Sequence, residues 1–181
     1  MSIGPTLQTD RLILRPPGVE DFGAWAAFMA DPEAMRHLGG PQRASGAWRS
    51  LAMMTGAWVI SGFSNFSVIE KASGRWIGRC GPWHPEGWPG PEIGWALDRS
   101  AWGQGYATEA ARRCLTYAYD VLGWDRVVHP IDPANTASIA VAKRIGSALL
   151  GPIALALPNV TKQVDLYGQT RAAWQIRGNA S

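Results

Sequence analysis

The segment Trp95–Gly123 constrains the fold more than any other part of this 181-residue chain. Its residue pattern predicts a strand over Glu92–Asp98, a short loop with Gly103 and Gly105, and a helix over Ala107–Leu122. The first N–H groups of such a helix converge on one point, and the helix dipole favours negative charge there. Because glycine has no Cβ, the loop backbone can approach a phosphate closely. The segment therefore predicts an anion-binding loop at the start of a helix.

Two well-known nucleotide-binding signatures do not fit this loop. The dinucleotide fingerprint needs a third glycine, where the chain has Thr108. It also needs an acidic residue at the end of the next strand, but Asp125 comes before the predicted strand Arg126–Ile131. The phosphate-binding loop of nucleoside triphosphatases needs Gly-Lys-Ser/Thr, which does not follow here. The anion-binding loop therefore belongs to neither class.

The rest of the chain predicts an α+β domain. Strands are predicted over Asp10–Arg15, Asn65–Glu70, Arg75–Cys80, Leu149–Leu157 and Gln163–Tyr167, and helices over Glu20–Met35, Ser45–Val59 and Thr136–Ile145. Antiparallel strands come first and a strand–helix–strand unit comes later, so we expect a mixed, largely antiparallel sheet flanked by helices. The chain has no repeat and no linker, so we expect a single domain over residues 1–181.

Composition excludes several classes of protein. Hydrophobic residues make up 46% of the chain and charged residues 17%, which excludes intrinsic disorder. No apolar run approaches the ~20 residues that cross a bilayer, and the N-terminus is unlike a secretory signal, so we expect a cytoplasmic protein without a membrane partner. The net charge of +3 is small, and the Lys and Arg residues are scattered along the chain. We therefore expect no direct nucleic-acid binding. Cys80 and Cys114 lack metal-ligand spacing and are expected to be reduced and buried.

Several linked motifs resemble the GNAT superfamily of acyl-CoA-dependent N-acyltransferases. The run WGQGYATEA is similar to the family's pyrophosphate loop. LQTDRLILRP resembles the first strand of the RimJ/RimL-like branch, which acetylates the N-termini of ribosomal proteins, and PEIGWALD resembles its fourth strand. DPANTASIAVAKRIG resembles the family's Asn-x-x-Ser helix. The resemblance implies a GNAT-like fold in which the parallel fourth and fifth strands splay apart around the pantetheine arm. Pro130 independently predicts a lapse in strand pairing, with a bulge or an edge strand as the alternative.

The chain departs from the family's pattern at three positions. Ser100 stands where Arg or Gln often contacts a phosphate, and Ser147 replaces an aromatic residue that follows the helix-ending glycine. Ala142 replaces a tyrosine that many relatives use as an acid. The missing tyrosine keeps an alternative open, a non-catalytic module that binds acyl-CoA and senses its level.

The resemblance implies acetyl-CoA as co-substrate and no metal. The implied cofactor contacts are Ala96, Leu97, Gly103, Gln104, Gly105, Tyr106, Ala107, Thr108, Asn135 and Ser138. Backbone groups near Ala96 and Leu97 would pair with the pantetheine amides like an added strand. Asn135 is a helix N-cap, a pantetheine ligand, or both. Ser138 is either an ordinary first-turn serine or the hydroxyl beside the thioester sulfur.

The expected reaction moves an acetyl group from acetyl-CoA to a primary amine, directly and within a ternary complex. The acceptor is a protein N-terminal amine or a small-molecule amine. Glu92 is the leading candidate for the base, against the alternative of a plain surface charge, and His84 or water is the other candidate. Trp83, His84 and Glu92 are candidate acceptor contacts, with burial in the core as the alternative for Trp83 and a structural role as the alternative for His84. A homodimer is left open.

Overall fold

The computed structural model describes residues 3–157 and 160–178. Its strands are β1 (Leu7–Gln8), β2 (Leu12–Arg15), β3 (Phe66–Glu70), β4 (Trp76–Trp83), β5 (Glu92–Leu97), β6 (Arg126–Ile131), β7 (Ala148–Leu157) and β8 (Val160–Thr170). Its α-helices are α1 (Phe22–Ala30), α2 (Ala44–Ser61), α3 (Tyr106–Asp120), α4 (Thr136–Arg144) and α5 (Arg171–Gly178). Short 3₁₀ turns cover Val19–Asp21 and Arg99–Ala101. Among the described residues, no helix is long and apolar enough to cross a membrane.

The described chain forms two compact units. The first contains residues 3–81 and 94–113, and the second contains residues 82–93 and 114–178 apart from 158 and 159. Strands β1 to β5 follow one another in the first unit, and the order in the second is β5, β6, β8, β7. Strand β5 is parallel to β6, whereas the described pairings of β1 with β2, β2 with β3, β3 with β4, and β8 with β6 and β7 are antiparallel. The predicted mixed, largely antiparallel α+β architecture is therefore confirmed.

Tryptophan side chains build much of the core of the first unit. Trp25 and Phe28 of α1 lie 5.6 and 5.7 Å from the ring of Trp76, measured between centroids. Trp58 of α2 packs edge-on against Phe66 at 4.9 Å. Each of the three indoles donates its N–H to an oxygen, which is the usual condition for burying this side chain. Trp25 and Trp58 are therefore core residues. The partly buried Trp76 packs against Trp25 and Phe28.

Helix α1 is shorter than the sequence pattern predicts. The predicted helix over Glu20–Met35 ends instead at Ala30, because Asp31 is extended, with ψ of 115°. Pro32 follows, and its ring disfavours the helical conformation in the preceding residue. The Asp31 carboxylate then accepts the N–H groups of Glu33 and Ala34 and starts a new turn.

Strand β6 lies inside the sheet of the second unit, and its pairing explains the effect of Pro130. β6 stays paired with β8 along its whole length, with Pro130 opposite Leu166. On the other edge, the Val128 N–H donates to the Pro91 carbonyl at 2.8 Å. Because alternate residues of a strand point their N–H groups to the same edge, Pro130 lacks a donor on the edge that faces β5. The predicted lapse therefore concerns one edge only, where the described register of β5 and β6 is the pair of Glu92 with Val128.

Candidate active site

The predicted glycine loop lies in the first unit, between β5 and α3. The Asp98 carboxylate accepts the N–H of Ser100 at 2.9 Å and its hydroxyl at 2.6 Å, which caps the 3₁₀ turn. Residues 102–105 are then exposed. Gly103 and Gly105 have φ angles of +73° and +80°, a region that glycine adopts without strain. The two glycines therefore let the chain reverse into α3.

Gln104 lies between the two glycines and is fixed at both of its polar ends. Its side-chain amide donates to the Ser100 carbonyl at 2.8 Å, and its own carbonyl accepts from Arg11 at 3.0 Å. The Glu109 N–H donates to the Gly105 carbonyl at 3.1 Å, which closes the first turn of α3. Hydrogen bonds to Arg11 and Ser100, which lie outside the glycine loop, consequently hold its main chain in one conformation.

An interaction that sequence analysis missed anchors this loop to the N-terminal strands. The helical spacing of α3 predicts that Glu109 faces solvent. Its carboxylate instead accepts the Thr9 hydroxyl, the Arg11 N–H at 3.1 Å and the Arg11 Nε at 2.7 Å, and it lies 2.6 Å from Arg11 Nη2. Burial acts to raise the pKa of Glu109, yet these hydrogen bonds outweigh it and keep the pKa below its usual value. Glu109 is therefore a charged anchor.

Tyr106 opens α3 with its side chain turned into the protein. Its hydroxyl donates to a Glu70 carboxylate oxygen at 2.6 Å, and the Arg11 guanidinium lies 4.4 Å from the ring centroid. The hydrogen bond to Glu70 raises the pKa of the Tyr106 phenol. Because its hydroxyl is bonded to Glu70, the group that Tyr106 presents at the loop is its backbone N–H.

The two predicted pantetheine contacts on β5 present their backbone groups to opposite edges of the strand. The Asp98 N–H donates to the Ile77 carbonyl of β4 at 2.9 Å. The Ala96 carbonyl also faces β4, since its oxygen occupies the space that a Cβ on Gly78 would need. Leu97 therefore points to the other edge, where its carbonyl accepts the indole N–H of Trp102 at 2.8 Å. A carbonyl oxygen has a second lone pair for a further donor.

In the second unit, Glu92 at the start of β5 is held by an indole. The Nε1 of Trp88 donates to Glu92 Oε2 at 2.6 Å, and both side chains are half-buried. Trp83 at the end of β4 is also half-buried, whereas His84 and Glu86 are exposed. Strand β4 extends three residues further than predicted and takes the first part of the predicted loop 81–90. The sequence gives no signal for the contact between Trp88 and Glu92, because the loop conformation decides it.

Asn135 and Ser138 occupy the start of α4, also in the second unit. Asn135 is the N-cap residue, and its Oδ1 accepts the Ser138 N–H at 3.1 Å. The N-cap interpretation is therefore confirmed. Both side chains are half-buried. The position of the missing tyrosine, Ala142, is fully buried.

A buried polar chain in the second unit accounts for Ser147. His129 is 2% exposed, and its Nδ1 lies 2.6 Å from the Ile93 carbonyl. Because a carbonyl only accepts, Nδ1 carries the proton and Nε2 accepts the Ser147 hydroxyl at 2.9 Å. Gln169 in turn donates to the Ser147 oxygen at 3.1 Å. Burial lowers the pKa of His129 to about 4, so the imidazole is neutral.

Metal binding and catalysis by a cysteine nucleophile have less support among the residues that the structure describes. Within 3–157 and 160–178, no group of three or more His, Cys, Asp and Glu side chains lies together as a metal ion would require. Cys80 and Cys114 are both reduced and fully buried, as their apolar neighbours predict. Their burial excludes them from the surface where a substrate binds.

Comparisons with known proteins find acetyltransferases with a similar sequence and fold. A family model described as "Acetyltransferase (GNAT) domain" matches residues 11–148. An uncharacterised N-acetyltransferase from Bacillus licheniformis is 33% identical over 137 residues, which cover 74% of this chain and 77% of that protein. FsC-acetyl coenzyme A-N(2)-transacetylase from Aspergillus fumigatus is 31% identical over 158 residues, or 78% of this chain and 64% of that protein. The crystal structure of an acetyltransferase from Agrobacterium tumefaciens superposes with a TM-score of 0.80 at 32% identity, covering 92% of this chain and 95% of that one.

Proposed function

Because this chain belongs to the GNAT acetyltransferase family, we propose that it transfers an acetyl group from acetyl-CoA to a primary amine. The transfer is direct and takes place in a ternary complex. The name of the Aspergillus fumigatus relative specifies acetyl coenzyme A, which supports this donor. The acceptor is a protein N-terminal amine or a small-molecule amine. The RimJ/RimL-like branch and a cytoplasmic location stay predictions from the sequence.

The glycine loop before α3 is the observation that carries the proposal. N–H groups from Gly103 to Thr108 bind the pyrophosphate, and the dipole of the fifteen-residue helix favours its charge. The Gln104 side-chain amide and the Tyr106 hydroxyl each donate to an oxygen of the protein. Recognition therefore falls to the main chain, which suits an oxygen-rich anion that needs several donors at once.

The pantetheine arm needs amide partners along its length. The Leu97 carbonyl lies on the edge of β5 that faces away from β4 and can accept from a pantetheine N–H. The Asn135 Oδ1 is used to cap α4, which leaves its amide group to donate to a pantetheine carbonyl. These residues supply one acceptor and one donor.

The acceptor amine must lose a proton before it attacks. A lysine-type amine has a pKa of about 10.4, so roughly one molecule in two thousand is neutral at pH 7, whereas an α-amino group near 7.8 is neutral in more than about a tenth of molecules. Glu92 is the proposed proton acceptor, directly or through water. The Trp88 indole fixes the direction of its carboxylate.

The thiol leaving group needs less catalytic assistance than the attacking amine. Its pKa is near 8.5 by analogy with cysteine, so it departs near neutral pH without a strong acid. Ser138 donates a hydrogen bond to the sulfur as negative charge develops there. Direct transfer is supported because Cys80 and Cys114 are buried and unavailable as nucleophiles. Most of the rate enhancement comes from holding the two reactants together.

Aromatic and acidic side chains near Glu92 in the sequence suit a cationic acceptor. Trp83 and Trp88 are half-buried and offer flat apolar surfaces, while Glu86 and His84 are exposed. A negative charge beside aromatic rings attracts an ammonium ion before it loses its proton. We assign Trp83 and His84 to the acceptor side on this ground.

Calorimetry and a thiol-release assay test the proposal together. Coenzyme A titrated into the folded protein should release heat with one site per chain. Acetyl-CoA should then liberate free thiol in the presence of a member of a panel that contains ribosomal-protein N-terminal peptides and small amines. The absence of coenzyme A binding would overturn the proposal. Binding without thiol release across the panel would favour the non-catalytic sensing module.

The role of Glu92 has its own test, with Glu86→Gln as the matched control. Glu92→Gln should remove the acidic limb of the pH dependence of kcat and lower kcat by about 100-fold for a lysine-type amine. Glu86→Gln removes the same charge from an exposed residue six positions earlier and should leave the limb in place. If the two variants behave alike, Glu92 is not the base.

A further inference from the structure

We propose that Arg11 is the positioning residue that holds the glycine loop in the shape that binds the cofactor's diphosphate. The inference rests on the proposed function, because it assigns a task to a residue that supports that site. Arg11 lies between β1 and β2, far from α3 in the sequence. Its side chain nevertheless reaches both the loop and the first turn of α3.

One guanidinium makes all of these contacts. Nε donates to Glu109 Oε2 at 2.7 Å, and Nη2 lies 2.6 Å from the same oxygen as an ion pair. Nη1 donates to the Gln104 carbonyl at 3.0 Å. The group also stacks on Tyr106, 4.4 Å from the ring centroid. The planar fork of arginine makes these bonds in fixed directions, which a lysine ammonium does not. Arg11 thus ties loop and helix into one rigid piece.

The bond to the Gln104 carbonyl sets the direction of the next N–H group. The two groups of a planar trans peptide point in opposite directions, so a carbonyl held by Arg11 turns the Gly105 N–H to the other side. Gln104 lies between two glycines, Gly103 and Gly105, whose φ angles are +73° and +80°. Because glycine samples many conformations, the loop needs an external contact to keep its N–H groups converged.

Arg11 also corrects an unfavourable charge. Glu109 lies in the first turn of α3, where the proposed diphosphate binds. An unpaired carboxylate at this position would repel a diphosphate, whereas the Arg11 guanidinium at 2.6 Å neutralises it. Arg11 is only half-exposed in its side chain, at 48%, and its donors are directed to protein oxygens. Its effect on the cofactor therefore passes through the loop.

Two acetyl donors separate a positioning role from a general loss of structure. S-acetylpantetheine has the thioester and the amides of acetyl-CoA but no diphosphate. Arg11→Gln should raise KM for acetyl-CoA about 10-fold, the loss typical of one hydrogen bond to a charged group, with kcat within about 2-fold. kcat/KM for S-acetylpantetheine should stay at the wild-type value. An equal fall with both donors, or no change with acetyl-CoA, would overturn the inference.

Arg113→Gln is the matched control. Arg113 also joins α3 to the N-terminal strands, since its Nε donates to the Gln8 carbonyl at 3.3 Å. That bond goes to β1, so the variant should leave KM for both donors unchanged. If Arg113→Gln raises KM for acetyl-CoA as much as Arg11→Gln does, the loop contact is not the cause.

A third variant keeps the test decisive if Arg11→Gln does not fold. Arg11→Lys keeps the charge and the side-chain stem but loses the fork, so KM for acetyl-CoA should rise about 3-fold and the S-acetylpantetheine reaction should be unaffected. A wild-type KM for Arg11→Lys would show that charge alone suffices and would overturn the inference. Failure of the wild-type protein to bind coenzyme A would instead contradict the proposed function.

Discussion

Acidification should destabilise this protein through one buried imidazole. His129 is neutral in the folded state, because burial lowers its pKa to about 4. In the unfolded chain the same group has a pKa of about 6.5. The folded-state pKa lies below the unfolded value, so the stability that depends on a neutral His129 is present above pH 6.5. It is lost as the pH falls from 6.5 towards 4.

The size of the effect follows from the two pKa values. The full difference of about 2.5 units, at about 1.36 kcal/mol per unit, corresponds to about 3.4 kcal/mol. At pH 5 the unfolded histidine is almost fully protonated and the folded one is about a tenth protonated. The linkage relation then gives a loss of about 1.8 kcal/mol in the free energy of unfolding between pH 7 and pH 5.

Urea unfolding of the wild type and of His129→Gln at both pH values measures this loss. Glutamine donates and accepts hydrogen bonds but does not titrate, so the variant should be less stable at pH 7 and less sensitive to acid. The other carboxylates and histidines contribute equally to both proteins. The wild type should therefore lose about 1.8 kcal/mol more than the variant between pH 7 and pH 5. Equal losses would refute the assignment of a depressed pKa to His129.

Three further substitutions test other parts of the structure. Trp88→Phe removes the N–H that holds the Glu92 carboxylate, so kcat should fall about 5-fold, the loss typical of one hydrogen bond; an unchanged kcat would show that this contact does not position the proposed base. Asp21→Asn breaks the ion pair between the buried Asp21 carboxylate and Arg15, at 2.7 Å, and should cost about 3 kcal/mol in urea unfolding. Glu20→Gln removes the exposed carboxylate that also pairs with Arg15 and should cost under about 0.5 kcal/mol. Ser138→Ala should lower kcat about 10-fold with little change in coenzyme A affinity by calorimetry; an unchanged kcat would exclude Ser138 from the reaction.

Local signals in the sequence predicted the part of the site that is built locally. The strand, the glycine loop and α3 are consecutive in the chain, and alternation, glycine spacing and helical periodicity place each of them. Strand β6 has the predicted bounds Arg126–Ile131. The apolar periodicity continues past Pro32 and predicts too long an α1, because the helix ends at Ala30, two residues before that proline. Strand β1 and helix α5 carried no signal strong enough to predict them.

Contacts between distant residues were not predictable in this way. Arg11 and Glu109 are 98 positions apart, and a pattern of charges does not reveal that their side chains meet. Glu109 has the spacing of a solvent-facing residue, and nothing within α3 distinguishes it from an ordinary surface charge. The sequence therefore predicts the loop and leaves out the side chain that holds it, because tertiary packing decides that pairing.

Ser147, which replaces an aromatic residue of the family's pattern, forms a hydrogen-bonded pair with His129. His129 and Ser147 face each other within the second unit, and the serine hydroxyl satisfies the imidazole nitrogen that the Ile93 carbonyl does not use. An aromatic residue at 147 would leave that buried nitrogen without this donor, at a cost of about 1–3 kcal/mol. The same imidazole donates to β5 one residue after Glu92, on a strand edge where Pro130 has no N–H to give. In this chain, a side chain therefore replaces a backbone donor beside the proposed base, and Ser147 is what keeps that side chain in the required tautomer.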